Sequence, residues 1–333
     1  MSKRVAIVGA TGAVGQELLK ILVEREFPVA SLKLLASARS AGKTCKFADA
    51  PCVVEELTND SFGDVDVAFF SAGGSISKAY AQPAVDAGAV VVDNTSAFRM
   101  TDGVPLVVPE VNPQAARHHG GILANPNCST ILLAVPLWPL HKAFGVKRVV
   151  VSTYQAVSGA GQAGISELER QQRQRVAGEA PTAELFPHAI VDNLFSHNTA
   201  VDASGYNEEE RKMVNETRKI FGVADFAVTA TCVRVPVPRA HCESVNIEFS
   251  QPVTPEQVRN VLASARGVKL VDEPATHTYP MPLLASHQDD VLVGRIRQDR
   301  SRPDGTAIDL FLAGDQIRKG AATNAVQVAE LLL

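Results

Sequence analysis

The chain lacks any cysteine spacing that would staple it or hold a metal. Its five cysteines (Cys45, Cys52, Cys128, Cys232, Cys242) are odd in number and no two are spaced CxxC. That argues against a disulfide framework or a zinc site and for reduced thiols in the cytoplasm. It also lacks an apolar run of membrane length. The longest, Ile131 to Leu140, is broken by Pro136 and Pro139 and reaches about half a span. The apolar start Val5–Val8 is too short for a signal-peptide core and leads into a glycine turn, not a cleavage site. Neither charge dominates: 32 Lys and Arg face 36 Asp and Glu, a net charge of −4. Wholesale binding to nucleic acid or to an anionic membrane is thereby disfavoured. No internal repeat or low-complexity linker is present. The expectation is an untargeted cytoplasmic protein with no metal. In that setting the Asn-x-Ser/Thr triplets at Asn59, Asn94 and Asn215 are chance matches. His118 and His119, being adjacent, point different ways and are expected at the surface.

What is present is a two-domain pattern, since 333 residues exceed one typical core. The first 125 residues or so alternate short apolar runs with helical periodicity. Strands are expected at Val5–Val8, Leu32–Ala36, Val65–Phe70 and Val90–Asp93, and helices at Val14–Glu24 and Ile76–Ala87. Such alternation describes a Rossmann-like, doubly wound α/β domain. From Val146 the runs lengthen (Val149–Gln155, Ala227–Val235, Ser244–Phe249, Asp290–Ile296, Ala307–Ala313). They describe an α+β domain with a mixed or antiparallel sheet. Gln316–Leu333 reads as one terminal helix.

At the end of the first strand lies Gly9-Ala10-Thr11-Gly12-Ala13-Val14-Gly15, a G-x-x-G-x-x-G variant of the dinucleotide fingerprint. Gly9 permits the turn, Gly12 admits a pyrophosphate, and Gly15 lets helix and strand approach. The alternative is a purely structural turn. At the end of the second strand, Ser37-Ala38-Arg39-Ser40 has no acid to accept from a ribose 2′-hydroxyl. Arg39 with Ser37 and Ser40 suits a 2′-phosphate, so NADP is expected over NAD; a polar surface loop is the alternative. Ser71, Ala72 and Gly73 form another small-residue turn at a strand end, where open α/β sheets bind ligands.

Asn125-Pro126-Asn127-Cys128-Ser129-Thr130 precedes the apolar helical run Ile131–Phe144. Pro126 biases Asn125 away from helix, and Ser129 or Thr130 can cap the start. Cys128 would then sit at a helix N-terminus, where the partial positive charge favours a thiolate. A buried structural cysteine is the alternative, and is the reading adopted for the other four.

These segments, with Gln155–Gly161 (Gln-Ala-Val-Ser-Gly-Ala-Gly) and Asp315–Val326 (Asp-Gln-Ile-Arg-Lys-Gly-Ala-Ala-Thr-Asn-Ala-Val), occur in one order over nearly the whole chain. Together they resemble aspartate-semialdehyde dehydrogenase. The resemblance implies a glyceraldehyde-3-phosphate-dehydrogenase-like pair of domains. Residues 1–127 with 315–333 would bind NADP, and 128–314 would carry catalysis and dimerisation, with some relatives pairing again into tetramers. Cys128 would be the nucleophile, His241 the general acid/base and Gln155 the residue orienting the thioester. Arg234, seven residues before His241, would hold the substrate carboxylate and Glu209 its ammonium. Lys212 and Arg99 would hold phosphate, a co-substrate, and Asn127 would also face substrate. Ser158, Gly159 and Asn324 would contact the cofactor, Asn324 through the nicotinamide amide.

From sequence alone Glu209 and Lys212 equally describe a solvated helix pair, Arg234 a partner for a surface acid and His241 a core histidine; the resemblance moves all of them towards function. The implied reaction is NADPH-dependent reduction of aspartyl phosphate to the semialdehyde through a Cys128 thioester, as in lysine, threonine, methionine, isoleucine and diaminopimelate biosynthesis. One rival is N-acetyl-γ-glutamyl-phosphate reductase, whose nucleophile sits in a Gly-Cys-Tyr-Pro type sequence. Another is a non-catalytic NADP-binding homologue, with little need for Cys128, Gln155, Arg234 and His241 together. Around residues 185–199 the chain departs from the family's Phe-Asn-x-Ile-Pro type segment, and no chemical role is assigned to that stretch.

Overall fold

The computed structural model describes residues 2–333. By its internal contacts the chain forms two units, the residues up to Asn127 with Gly320–Leu333, and Cys128–Lys319. The return to the first unit thus falls at Gly320, where the sequence reading placed it at 315. Among the described residues no helix is long and apolar enough to cross a membrane.

The first unit is built on β1 (Lys3–Val8), α1 (Ala13–Glu24), β2 (Val29–Ala36), β3 (Thr44–Phe47), β4 (Ala50–Glu56), β5 (Val67–Phe70), α2 (Gly74–Asp86), β6 (Val90–Asp93) and β7 (Ile122–Ala124). The sheet order is β3-β4-β2-β1-β5-β6-β7, parallel throughout except for the β3–β4 hairpin. Val5 and Ile7 face α1, through Leu18, Leu19, Ile21 and Leu22. Ala6 and Val8 turn to the other side, towards Ala81 and Ala84 of α2. Helices on both faces explain why these strands are apolar without alternation. Each buried Leu or Ile contributes about 2 kcal/mol. Because β1 lies between β2 and β5, its C-terminal end is the point where the chain's winding reverses.

The second unit holds α3 (Cys128–Phe144), β8 (Val146–Gln155), α4 (Gln162–Val176), β9 (Phe195–Ser196), α5 (Glu208–Phe221), β10 (Ala227–Arg234), β11 (His241–Phe249), α6 (Pro255–Ala263), β12 (Val268–Leu270), α7 (Pro282–Ala285), β13 (Val291–Gln298) and β14 (Ala307–Gly314). Its sheet, in the order β12-β13-β14-β11-β8-β10-β9, is mixed. β8 and β10 run parallel, while β11 runs antiparallel to β8 and β14. α3 packs on this sheet and on α5 and α6. Gly314 is what lets β14 approach it, since a Cβ there would lie 2.4 Å from Leu132 Cδ2. α5 starts where it does because Asn207 and Glu210 form a reciprocal capping box, and Gly222 ends it in the left-handed region.

Two expectations need correction. The terminal segment is not one helix from Gln316. Asp315 accepts from the backbone N–H groups of Ile317 and Arg318, a wide π-type turn follows at Arg318–Ala322, and α8 (Thr323–Glu330) completes it. Nor does Ser129 cap α3. The helix begins at Cys128 itself, which places Ser129 inside the first turn, buried and with its hydroxyl unpartnered.

Candidate active site

In the second unit, strand register assembles what the sequence scatters. Gln155 at the end of β8 lies opposite Arg234 at the end of β10. β11 runs the other way, so its first residue, His241, arrives at the same end of the sheet. All three are at most 3% exposed.

The backbone N–H of Ala156 donates to His241 Nδ1 at 2.9 Å. Nδ1 is therefore the acceptor, and the neutral ring carries its proton on Nε2. That Nε2 is buried and has no hydrogen-bond partner. Burial, with Arg234 in the same sense and Glu209 opposing, holds this imidazole well below its ordinary 6.5. It is a neutral donor at neutral pH.

Arg234 donates from Nη1 to Ala156 O and from Nη2 to His197 Nε2, both at 2.7 Å, while its buried Nε has no partner. Burial lowers its pKa; the charges of Glu209, Cys128 and Cys232 oppose that, so Cys128 is near enough for the two charges to interact. The cluster needs a glycine beside it. A Cβ on Gly159 would sit 3.0 Å from Arg234 Nη1 and 3.4 Å from the His241 ring. Ser158 is gripped by Gln316, whose other amide atom accepts from Ala240 N–H.

Glu209 and Lys212 are not a solvated pair. Glu209 is 5% exposed and accepts from Gln155 Nε2 at 3.0 Å, while Thr153 donates to Gln155 from the other side. Lys212 lies 2.9 Å from Glu208 and 3.4 Å from Glu209. Cys128 opens α3 and is half-buried, unlike Cys232 and Cys242, which are buried. Burial raises the Cys232 thiol far above its usual value and pushes Cys242 up to about 12.

In the first unit three loops meet at the C-terminal ends of β1, β2 and β5. Gly9 has φ +90°, and a Cβ there would lie 3.0 Å from Ala72 N. On Gly15 it would lie 2.3 Å from Gly9 O, so helix and turn pack as tightly as the sequence pattern required. Gly12 stands at the N-cap of α1 and no side chain caps that helix; Thr11 and Gly12 are exposed, Ala13 and Val14 half-buried. Ser37–Ser40 forms a turn closed by Ser40 N–H on Ser37 O. Arg39 is exposed, and no carboxylate of the described residues pairs with it. Ser71 donates backbone and hydroxyl to Val8 O, and Gly73, at φ +99°, starts α2.

Arg99 is buried and donates to the carbonyls of Asn125 and Asn94. Asn324 donates to Val107 O and Asn125 Oδ1, and Asn125 donates in turn to Asn94 Oδ1. Both amide N–H groups of Asn324 are thus engaged within the first unit. Asn127 is buried at the end of this unit. Sequence reasoning did not mark the hydrogen bonds that Asn94, Asn125, Gln316 and His197 make to the expected site residues. Only the first three lie in motifs it had marked.

A family model described as semialdehyde dehydrogenase, NAD binding domain, matches residues 4–119, and one described as semialdehyde dehydrogenase, dimerisation domain, matches 137–319. The chain is 56% identical over 330 residues to an aspartate-semialdehyde dehydrogenase of Synechocystis sp., covering 99% of this chain and 97% of the relative. Among solved structures it resembles aspartate semialdehyde dehydrogenase II of Vibrio cholerae complexed with ASA, at TM-score 0.96 and 45% identity, covering 100% and 98% of the two chains. The Candida albicans enzyme with NADP superposes at TM-score 0.77 and 26% identity, covering 100% and 98%.

Proposed function

Because the chain belongs to the aspartate-semialdehyde dehydrogenase family, we infer that it reduces L-aspartyl-4-phosphate to L-aspartate 4-semialdehyde with NADPH, reversibly and through a thioester on Cys128. The observation that carries the assignment of residues is Arg234. It is a buried guanidinium with no carboxylate of the described residues in ion-pair range, within electrostatic reach of a cysteine that opens a helix. Two of its N–H groups are engaged in the protein, and the rest of its five-donor fork suits a substrate carboxylate.

The Cys128 thiolate attacks the acyl carbon; the sulfur–carbon bond forms and the bond to phosphate breaks. His241 Nε2–H donates a hydrogen bond to the carbonyl oxygen as that oxygen gains charge, and holds the oxyanion until it collapses and the carbon–sulfur bond breaks to release aldehyde and thiolate. Gln155, held between Thr153 and Glu209, orients the thioester. Glu209 meets the substrate ammonium, Lys212 meets phosphate, and Asn127 faces substrate. The family resemblance assigns Arg99 to phosphate as well.

The first unit fits a dinucleotide, because the Gly9 and Gly15 positions leave no room for a Cβ and the start of α1 has no side-chain cap. Gly9–Gly15 and Ser71–Gly73 would hold the pyrophosphate, and Ser37, Arg39 and Ser40 the 2′-phosphate. Asn324 would meet the nicotinamide amide, and Ser158 and Gly159 the same cofactor. When bound, NADPH supplies the hydride that reduces the acyl carbon. Residues 1–127 with the C-terminal segment are thus the NADP domain. The remainder carries catalysis and assembly, as a cytoplasmic homodimer able to pair into a tetramer.

The protein should reduce NADP⁺ with aspartate semialdehyde only when phosphate is present. Turnover of N-acetylglutamate semialdehyde alone would make it the sister reductase. NADP binding with no turnover of either would make it a binding protein.

A further inference from the structure

Arg234 can select a carboxylate only if its fork is held still. Its Nη1 is anchored on Ala156 O and its Cζ lies 5.8 Å from the centroid of the Phe186 ring, but one hydrogen bond and a ring face still let the fork turn in its own plane towards Glu209. The second anchor is His197, which follows β9 and whose backbone N–H donates to Cys232 O at 2.8 Å. The His197 Nε2 lies 2.7 Å from Arg234 Nη2. A guanidinium only donates, so Nε2 accepts and the ring proton resides on Nδ1. Nδ1 stands 3.4 Å from Thr199 Oγ1, and the backbone N–H of Glu209 donates to that same hydroxyl at 3.2 Å. The ring thus joins the end of β10 to the first turn of α5.

We propose that His197 is a positioning residue, an uncharged acceptor that orients Arg234 towards the substrate carboxylate without neutralising it. This rests on the reading of Arg234 given above. The chemistry of the alternatives shows why the residue type matters. An Asp or Glu here would grip Arg234 harder but would compete with the substrate for its charge. A lysine or a protonated histidine could not accept and would press two cations together. The surroundings keep the ring neutral. Burial, chiefly, lowers its pKa to about 4, with Arg234 of β10 and Lys212 of α5 acting in the same sense and Glu208 and Glu209 of α5 opposing; His241 of β11 is the remaining titratable neighbour.

The test compares H197M, of similar bulk with no nitrogen acceptor, with H197Q, whose amide oxygen can accept. Two readouts are taken. One is KM and kcat for aspartate semialdehyde. The other is the rate at which the Cys128 thiolate displaces iodide from iodoacetate relative to iodoacetamide, read on the Cys128 peptide by mass spectrometry. H197M should raise KM about tenfold or more, as expected for losing a hydrogen bond to a charged group, with kcat within about threefold. It should also lower the iodoacetate preference, because an unanchored Arg234 no longer draws the anion to Cys128. H197Q should return both values to within about threefold of the parent. An H197M protein with parental KM and parental alkylation ratio would overturn the proposal, as would an H197Q protein as impaired as H197M. If the parent does not turn over aspartate semialdehyde, the functional reading falls, and the alkylation ratio still decides the role of His197.

Discussion

The two units build their sites in opposite ways. In the first, the backbone carries the site. Seven consecutive residues, Gly9 to Gly15, supply a turn, close packing and an uncapped helix start. In the second, side chains carry it, drawn from β8, β10, β11, α3 and α5. Among the described residues, the buried side-chain atoms that lack a hydrogen-bond partner, Arg234 Nε, His241 Nε2 and both Glu243 oxygens among them, all belong to the second unit. Buried polar groups are rarely left unmatched without a reason. At Arg234 and His241 the proposed substrate would bring the missing partners. Among the described residues the first unit has no such unmatched atom, and its Thr11, Gly12 and Arg39 lie exposed. A site of backbone can be open and complete at once, whereas a site of buried side chains stays incomplete until it is filled.

That contrast is broken most directly at Cys128. Cys128→Ala should lower turnover at least about a thousandfold, because no other group can form the thioester. Dinucleotide affinity should stay within a few-fold, measured by fluorescence titration of NADPH. Substantial residual turnover would remove the covalent route. A collapse of NADPH affinity would show that the two sites are not separable as described.

The same contrast explains what could be read from the sequence. The constraints at Gly9 and Gly15 are local, a positive φ and a missing Cβ, so they leave a contiguous motif. Glu209 and Lys212 share one helix face, and their pairing follows from i,i+3 spacing. Gln155, Arg234 and His241 are joined only by strand register, and family resemblance was what linked them to Cys128. His197 had no such help. It lies in the stretch that departs from the family pattern, after a two-residue strand too short to leave a period. Ser129 misled because a Ser after Asn-Cys looks like a cap, whereas the helix already starts at Cys128. The β3–β4 hairpin was missed because Ala50-Pro51-Cys52 carries little strand preference and only Val53 and Val54 follow it.

A smaller effect sharpens the first unit's side of the comparison. Its proposed charged contact to the 2′-phosphate is Arg39. Arg39→Ala should weaken NADP about ten- to a hundredfold, the range expected for a charge-assisted bond to phosphate. NAD affinity should change less than about twofold. Equal losses for both dinucleotides would take Arg39 out of the 2′-phosphate site and leave that unit's selectivity to its backbone.

The smallest effect concerns Glu243, which belongs to the second unit's unmatched group but has no ligand assigned to it. On β11 it lies opposite Thr153 of β8, one step behind His241 on the same sheet face. It is fully buried, and burial raises its pKa well above the ordinary 4.5. The folded protein therefore keeps this proton to higher pH than the unfolded chain does. Its contribution to stability is fully present below about 4.5 and diminishes as pH rises, by up to about 1.4 kcal/mol per unit until the folded group ionises. Replacing an unpaired buried carboxyl with an apolar side chain of similar volume should be stabilising, by about 1–3 kcal/mol near neutrality. Glu243→Met should thus melt above the parent at pH 8, and the gap should narrow towards pH 5. Thermal unfolding at pH 5, 6.5 and 8 measures it. A gap independent of pH would mean that Glu243 finds a partner in the folded protein. Glu243 would then leave the second unit's unmatched group.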